Sequence, residues 1–261
     1  MQVTGIKSDS AARRAENVAR SLESQLDAFD CRSAVSRLNR TGRVENEHVA
    51  TLVRRGLTYY DRTNGIFDIR QGRLEQGVKA YLRDERQDPP ETFDDGTLTV
   101  DGNIVEADVP LDLNGLAKGY IVERATRALE GVGRRGFVCG GGDMSPPTGP
   151  VAIENPGGGR RIRTLDTDWN VATSGGYRRG RQNVDHIYDP TTERIGSRHD
   201  TVTVVAARDC IEADAMATTL AATTLEDALD LVEDWPRAAG LIIHEGVFYE
   251  TKGFDDHVMD A

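Results

Sequence analysis

Asp112-Leu113-Asn114-Gly115-Leu116-Ala117-Lys118-Gly119-Tyr120 leads, eleven residues later, into Gly131-Val132-Gly133-Arg134-Arg135-Gly136-Phe137. The order of elements along this stretch decides the fold. Leu113, Leu116, Ala117, Tyr120, Ile121, Ala125, Ala128 and Leu129 recur at helical spacing. They predict a helix over 113–129 with Gly131 as its stop. Gly131, Gly133 and Gly136 also satisfy the dinucleotide fingerprint G-x-G-x-x-G. That fingerprint needs a strand before it and a helix after it, because the helix N-terminus holds the pyrophosphate. Here the helix comes first and a strand, 136–139, comes second. The glycines are therefore read as a helix stop and a turn, and the order argues against a doubly wound parallel sheet.

Reading outward gives the same class. Ala15, Val18, Ala19, Leu22, Leu26 and Phe29 form one amphipathic stripe, and Val49, Leu52, Val53, Gly56, Leu57 and Tyr60 form a second. A polar loop joins these two helices. Residues 84–96 are rich in Asp and Pro and read as loop. Residues 97–100 and 103–109 read as strands around Asp101-Gly102. Further strands are expected at 150–154, 161–165, 169–173 and 202–207, followed by helices near 212–223 and 225–234. Residues 241–243 and 247–249 close the chain as a hairpin. Helices mixed with antiparallel strands, without regular βαβ alternation, predict an α+β fold.

The 261 residues carry a net charge of −11, which disfavours nucleic acid as a partner. Four lysines stand against 28 arginines. Many carboxylates with few lysines resemble adaptation to high salt, where screening weakens self-repulsion, and codon bias is the plainer alternative. Cys31, Cys139 and Cys210 fit neither a disulfide framework nor a zinc site. The polar start and the lack of a long apolar run lead us to expect no signal peptide, no transmembrane segment and a cytoplasmic protein. Asn39-Arg40-Thr41 matches a glycosylation sequon and is discounted.

Chemistry concentrates in a few places. The start of the 113–129 helix offers unpaired N–H groups to a phosphate, with Lys118 adding a charge and Asp112 an acceptor. Asp112 or Asn114 serving only as a cap, with Lys118 in solvent, remains the alternative. Cys139-Gly140-Gly141-Gly142-Asp143-Met144 lets backbone approach a ligand or simply turns. Thr173-Ser174-Gly175-Gly176-Tyr177 ends a strand with hydroxyls, and His186-Ile187-Tyr188-Asp189-Pro190 puts a histidine in a loop. Asp214 and Thr218 share a helix face and suit a hard cation such as Mg²⁺. Helix-start electrostatics for Asp214 and packing for Thr218 are the alternative.

The order of these motifs carries more than any one of them. D-L-N-G-L-A-K-G-Y, C-G-G-G-D-M, A-T-S-G-G-Y-R-R, H-I-Y-D-P-T-T and A-D-A-M-A-T-T-L, together with Ser36-Arg37-Leu38-Asn39 and Gly65-Ile66-Phe67-Asp68, resemble the FAD:protein FMN transferase family, once labelled a thiamine-biosynthesis lipoprotein family. The resemblance spans about residues 15–250. It implies tandem T-fold-like halves read as a single domain, 1–261. It implies Mg²⁺-dependent transfer of FMN from FAD to a Ser or Thr hydroxyl of an acceptor protein, with release of AMP. It places Ile66, Phe67, Asp68, Asp112, Lys118, Thr173, Ser174, Gly175, His186 and Ile187 around FAD. It makes the Gly115 carbonyl, Asp214 and Thr218 the magnesium ligands, so that Asp214 acts in catalysis, and His186 is the base we assign to the acceptor hydroxyl. An FAD pyrophosphatase releasing FMN and AMP, and a flavin-binding protein without catalysis, are the competing readings. One departure stands out: the family's N-terminal strand with Met-Gly-Thr is expected to be missing or degenerate here.

Overall fold

A computed structural model of the protein describes residues 1–4, 8–129, 137–156, 158, 161–175 and 184–259. The chain opens with strand β1 (Gln2–Thr4), helices α1 (Asp9–Leu26) and α2 (Ala34–Thr41), strand β2 (Arg43–Glu45), and helices α3 (Glu47–Arg62) and α4 (Gly72–Leu82). The hairpin β3 (Leu98–Asp101) and β4 (Ile104–Ala107) precedes α5 (Asn114–Arg127). Then come β5 (Phe137–Gly140), β6 (Asp143–Met144), β7 (Val151–Glu154), β8 (Arg161–Leu165), β9 (Asn170–Ser174), β10 (Tyr188–Asp189), β11 (Arg194–Ile195) and β12 (Thr201–Ala206). Helices α6 (Cys210–Ala222) and α7 (Leu225–Glu233) and the hairpin β13 (Ala238–His244) and β14 (Val247–Glu250) complete it.

Among the described residues, seven strands form one sheet in the order β1-β5-β6-β9-β12-β13-β14, and every pairing in it is antiparallel. The α+β expectation holds. β12 sits inside this sheet and all six of its residues are buried. Val202, Val204 and Ala206 face the helices, while Val205 faces a second cluster with Ile153, Leu165 and Phe254. Burial on both faces is why this strand is uniformly apolar rather than alternating. A small sheet, β2-β4-β3, lies beside the helical layer. Among the described residues, no helix is long and apolar enough to cross a membrane.

α6 is the central helix of the larger cluster. Twelve of its residues are buried, from Cys210 to Ala222. It packs on α5 on one side and on β9 and β12 on another. Its start is capped by Asp209, whose Oδ1 accepts from the Glu212 N–H at 2.9 Å. Arg55 of α3 grips the same carboxylate with Nη1 and Nη2, at 2.6 and 2.9 Å.

One expectation needs correction. The polar segment between the first two amphipathic helices contains α2 and β2, and a further helix, α4, follows α3. The N-terminal strand, expected to be missing or degenerate, is a three-residue segment: Gln2–Thr4 pairs antiparallel with Phe137–Cys139 at the sheet edge. Gly131, Gly133 and Gly136 lie outside the described residues. Asn39 of the discounted sequon has a structural use. Its side-chain amide donates to the Leu111 carbonyl at 2.9 Å and accepts from the Leu111 N–H at 2.8 Å, fixing the approach to α5.

Candidate active site

α5 begins at Asn114, and its first turn is prepared by the preceding aspartate. Asp112 Oδ1 accepts from the Asn114 N–H at 2.9 Å, and Asp112 Oδ2 accepts from the Tyr188 hydroxyl at 2.8 Å. Burial, and then the charge of Asp112, push the Tyr188 pKa well up, so its hydroxyl stays a donor. Asp112, one residue before the Leu113 N-cap, thus takes up the first backbone N–H of the helix and also tethers the loop that carries His186.

Two glycine-dependent close approaches shape the rest. β5 and β6 are joined by Gly141 and Gly142, with φ of +67° and +109°. A two-residue hairpin needs positive φ at both positions, which glycine adopts without strain. The turn delivers Asp143 into the interior, 0% exposed. Along α5, a Cβ on Gly119 would lie 2.4 Å from the Cys210 carbonyl oxygen and 3.0 Å from Asp214 Cβ. A Cβ on Gly115 would lie 2.9 Å from the Phe67 ring and 3.6 Å from Thr218 Cγ2. Gly115 and Gly119 are four apart on α5, and Asp214 and Thr218 are four apart on α6. The two glycines let the α6 pair come against α5.

At the centre of this contact, Lys118 Nζ lies 3.1 Å from Asp143 Oδ1 and 3.3 Å from Asp214 Oδ1. Asp214 Oδ2 accepts from the Gly119 N–H at 2.9 Å. Asp214 is 1% exposed, whereas the Lys118 side chain is 37% exposed. Burial alone would lower the Lys118 pKa; the charges of Asp143 and Asp214 outweigh it and raise the pKa. Burial, and then the neighbouring Asp214, push Asp143 well above the usual carboxylate range, against the pull of Lys118. Among the described residues, neither Asp143 carboxylate oxygen meets a hydrogen-bond donor of good geometry.

A cleft of about 830 Å³ opens over these groups. This volume lies within the roughly 300–1,000 Å³ common for ligand sites. Ile66, Phe67, Asp68, Asp112, Gly115, Lys118, Ser174, His186, Asp214 and Thr218 all line it, so most of the residues singled out by sequence converge. Asp68 is committed to structure as well: it holds Arg70 through both oxygens, at 2.9 and 3.0 Å, and accepts from the Gln71 amide at 3.1 Å.

Three assigned residues are not among those that line the cleft. Strand alternation puts Ser174 toward it and turns Thr173 to the other face, where Thr173 Oγ1 lies 3.0 Å from Thr203 Oγ1. Gly175 packs against Asp200 and Thr201 backbone. Ile187 is 1% exposed and belongs to the core. Asp214 also differs from a helix-start aspartate facing solvent, because α6 is buried nearly all round. Gly176 and Tyr177 lie outside the described residues. Sequence reading passed over two groups as site residues, Asp143 and Tyr188. The signal for both was their place inside motifs already singled out, C-G-G-G-D-M and H-I-Y-D-P.

The residues present fit a hard divalent cation. In a regular helix the Gly119 N–H faces the Gly115 carbonyl. It also donates to Asp214, which brings that carboxylate against the α5 turn carrying Gly115. Thr218 belongs to the same helix face as Asp214 and to the cleft lining. No group of three or more His, Cys, Asp and Glu able to hold a metal occurs among the described residues. One or two carboxylates completed by substrate phosphates is the usual arrangement for Mg²⁺.

Fold and cleft together define an antiparallel α+β protein whose ligand cleft lies where a helix start, a glycine turn and a buried helix meet. The sequence model of the ApbE family matches residues 1–242, and the chain belongs to that family. A curated FAD:protein FMN transferase from Vibrio cholerae serotype O1 is 32% identical over 142 residues, covering 47% of this chain. The matched stretch spans 42% of that relative's length. The crystal structure of the ApbE protein from Thermotoga maritima superposes with a TM-score of 0.84 at 25% identity, covering 99% of this chain and 94% of that one. The flavin transferase ApbE from Vibrio cholerae superposes at 0.77 and 24% identity, covering 98% and 93%. The apo flavinyl transferase ApbE from Pseudomonas stutzeri also gives 0.77 at 24% identity, covering 97% and 89%.

Proposed function

We propose that the protein transfers the FMN half of FAD to a Ser or Thr hydroxyl of an acceptor protein, releases AMP, and requires Mg²⁺. One observation carries most of this reading. The Lys118 ammonium, held between two buried carboxylates, forms part of the wall of a cleft of about 830 Å³ at a helix start. A cation and a helix N-terminus facing one cleft suit a pyrophosphate.

In the transfer, the acceptor oxygen forms a bond to the FMN-side phosphorus. The bond from that phosphorus to the bridging oxygen breaks, and AMP leaves with the oxygen and the electron pair. The acceptor proton passes to the imidazole of His186, which lines the cleft. Lys118 offsets the charge that develops on the phosphate oxygens, as in other phosphoryl transfers. Asp112, fixed by Asn114 and Tyr188, orients the ligand without moving. Gly115, Asp214 and Thr218 would hold Mg²⁺, which supplies charge withdrawal from the pyrophosphate when bound.

Incubation with FAD, Mg²⁺ and an acceptor protein, read by intact mass and by nucleotide analysis, tests the proposal. One FMN gained by the acceptor for each AMP released is the expected result. Free FMN with unmodified acceptor would make the protein a pyrophosphatase. Bound but intact FAD would make it a binder only.

A further inference from the structure

Two buried carboxylates and one cation meet at the junction of α5, α6 and the β5–β6 turn. Asp143 and Asp214 are 0% and 1% exposed, and Lys118 bridges them at 3.1 and 3.3 Å. One ammonium serves two buried carboxyl groups, and burial makes any uncompensated charge among the three expensive. The two carboxylates are not equivalent. Asp214 Oδ2 also accepts the Gly119 N–H, whereas among the described residues neither oxygen of Asp143 meets a well-aligned donor. Lys118 contacts the Oδ1 atom of Asp214, the residue assigned to Mg²⁺ in the proposed function, on which this inference rests. Two cations competing for one carboxylate repel each other.

We propose that Lys118 is the internal counter-ion that keeps the metal position closed in the metal-free protein. Mg²⁺ displaces its ammonium from Asp214, and Asp143 acts as the positioning residue that keeps the released ammonium at the cleft wall. The length of the lysine stem makes this swing local, since the side chain is already 37% exposed toward the cleft. The same lysine then serves two states: it pairs with Asp214 before the metal arrives and meets the ligand's phosphates afterwards.

Asp143 and Lys118 make opposite predictions for metal affinity without FAD. Lys118→Met removes the competitor and keeps the apolar stem, so Mn²⁺ binding followed by electron paramagnetic resonance, and Mg²⁺ binding by calorimetry, should tighten at least tenfold. Asp143→Asn removes the tether and leaves Lys118 leaning on Asp214 alone, so metal affinity should fall about tenfold. Circular dichroism melts identify variants that do not fold, and Lys118→Gln replaces Lys118→Met in that case. Unchanged or weakened metal binding in folded Lys118→Met or Lys118→Gln overturns the exchange. Unchanged metal binding in Asp143→Asn overturns the tether. A wild-type protein that binds no Mn²⁺ or Mg²⁺ overturns both. Wild type that binds metal and transfers FMN while Lys118→Met shows no tightening refutes this inference and leaves the proposed function intact.

Discussion

Gly119→Ala is the most informative single perturbation of the site. The added Cβ would lie 2.4 Å from the Cys210 carbonyl oxygen, 2.8 Å from its carbon and 3.0 Å from Asp214 Cβ. The nearest two atoms are backbone of a buried helix and cannot rotate away. α5 and α6 must separate by about 1 Å to reach the ordinary van der Waals range. Overpacking of this kind costs about 1–3 kcal/mol. Separation also stretches the 2.9 Å bond from the Gly119 N–H to Asp214, and hydrogen bonds to charged groups contribute about 1.5–3 kcal/mol. Better helix propensity returns about 1 kcal/mol. A net loss of about 2–5 kcal/mol remains, which for a chain of this size lowers Tm by roughly 5–15 °C. Gly240→Ala is the control, because its Cβ would meet nothing nearer than 3.6 Å. Thermal melts by circular dichroism of both variants, with FAD affinity by calorimetry, read the effect. A Gly119→Ala protein that melts within about 1 °C of wild type would refute the helix contact on which the site rests.

Other expectations follow from the same geometry. FAD should bind at least tenfold more tightly than FMN, because the pyrophosphate and AMP half meet Lys118; Lys118→Ala should narrow that difference, and equal affinities by calorimetry would count against the assignment. Asp209→Ala breaks the Arg55 ion pair and the α6 cap together, a loss of about 3–5 kcal/mol, whereas Asp209→Asn keeps a cap and should lose less; equal melts for the two would remove the cap from the account. Burial, and then the nearby His244, lower the His199 pKa to about 4. Below pH 6.5 the unfolded chain takes up a proton that folded His199 refuses, so stability contributed here is full above pH 6.5, falls toward pH 4 and then levels off. Wild type should therefore lose more Tm than His199→Gln between pH 7 and pH 4, and parallel curves would show that this histidine is not involved.

Sequence legibility followed periodicity. The stripes of α1, α3 and α5 are regular; those of α3 and α5 end within two residues of the helices, whereas α1 starts six residues before Ala15 and stops short of Phe29. α2 and α4 were missed. α2 is short, and α4 opens on Gly72 and carries the buried polar Glu75, which breaks the apolar pattern. In the N-terminal strand Gln2 is exposed and Val3 only half-buried, so it holds no apolar run to read. Its existence depends on a partner, Phe137–Cys139, more than 130 positions away.

The site divides along the same line. Composition and spacing alone placed Lys118 near a helix start and put Asp214 and Thr218 on one helix face, because a helical period is a local property. Which way a strand residue points in the folded sheet is a matter of register, so Ser174 was separated from Thr173 only by the pairing of β9 with β12. Whether an aspartate is solvated or buried depends on what covers its helix, so Asp214 was settled only by α5 and the sheet closing over α6. The ion triad of Lys118, Asp143 and Asp214 joins residues 25 to 96 positions apart. Local sequence determined the elements and the chemistry they carry; burial and long-range approach, which only the packed fold supplies, decided which of those groups meet and at what charge.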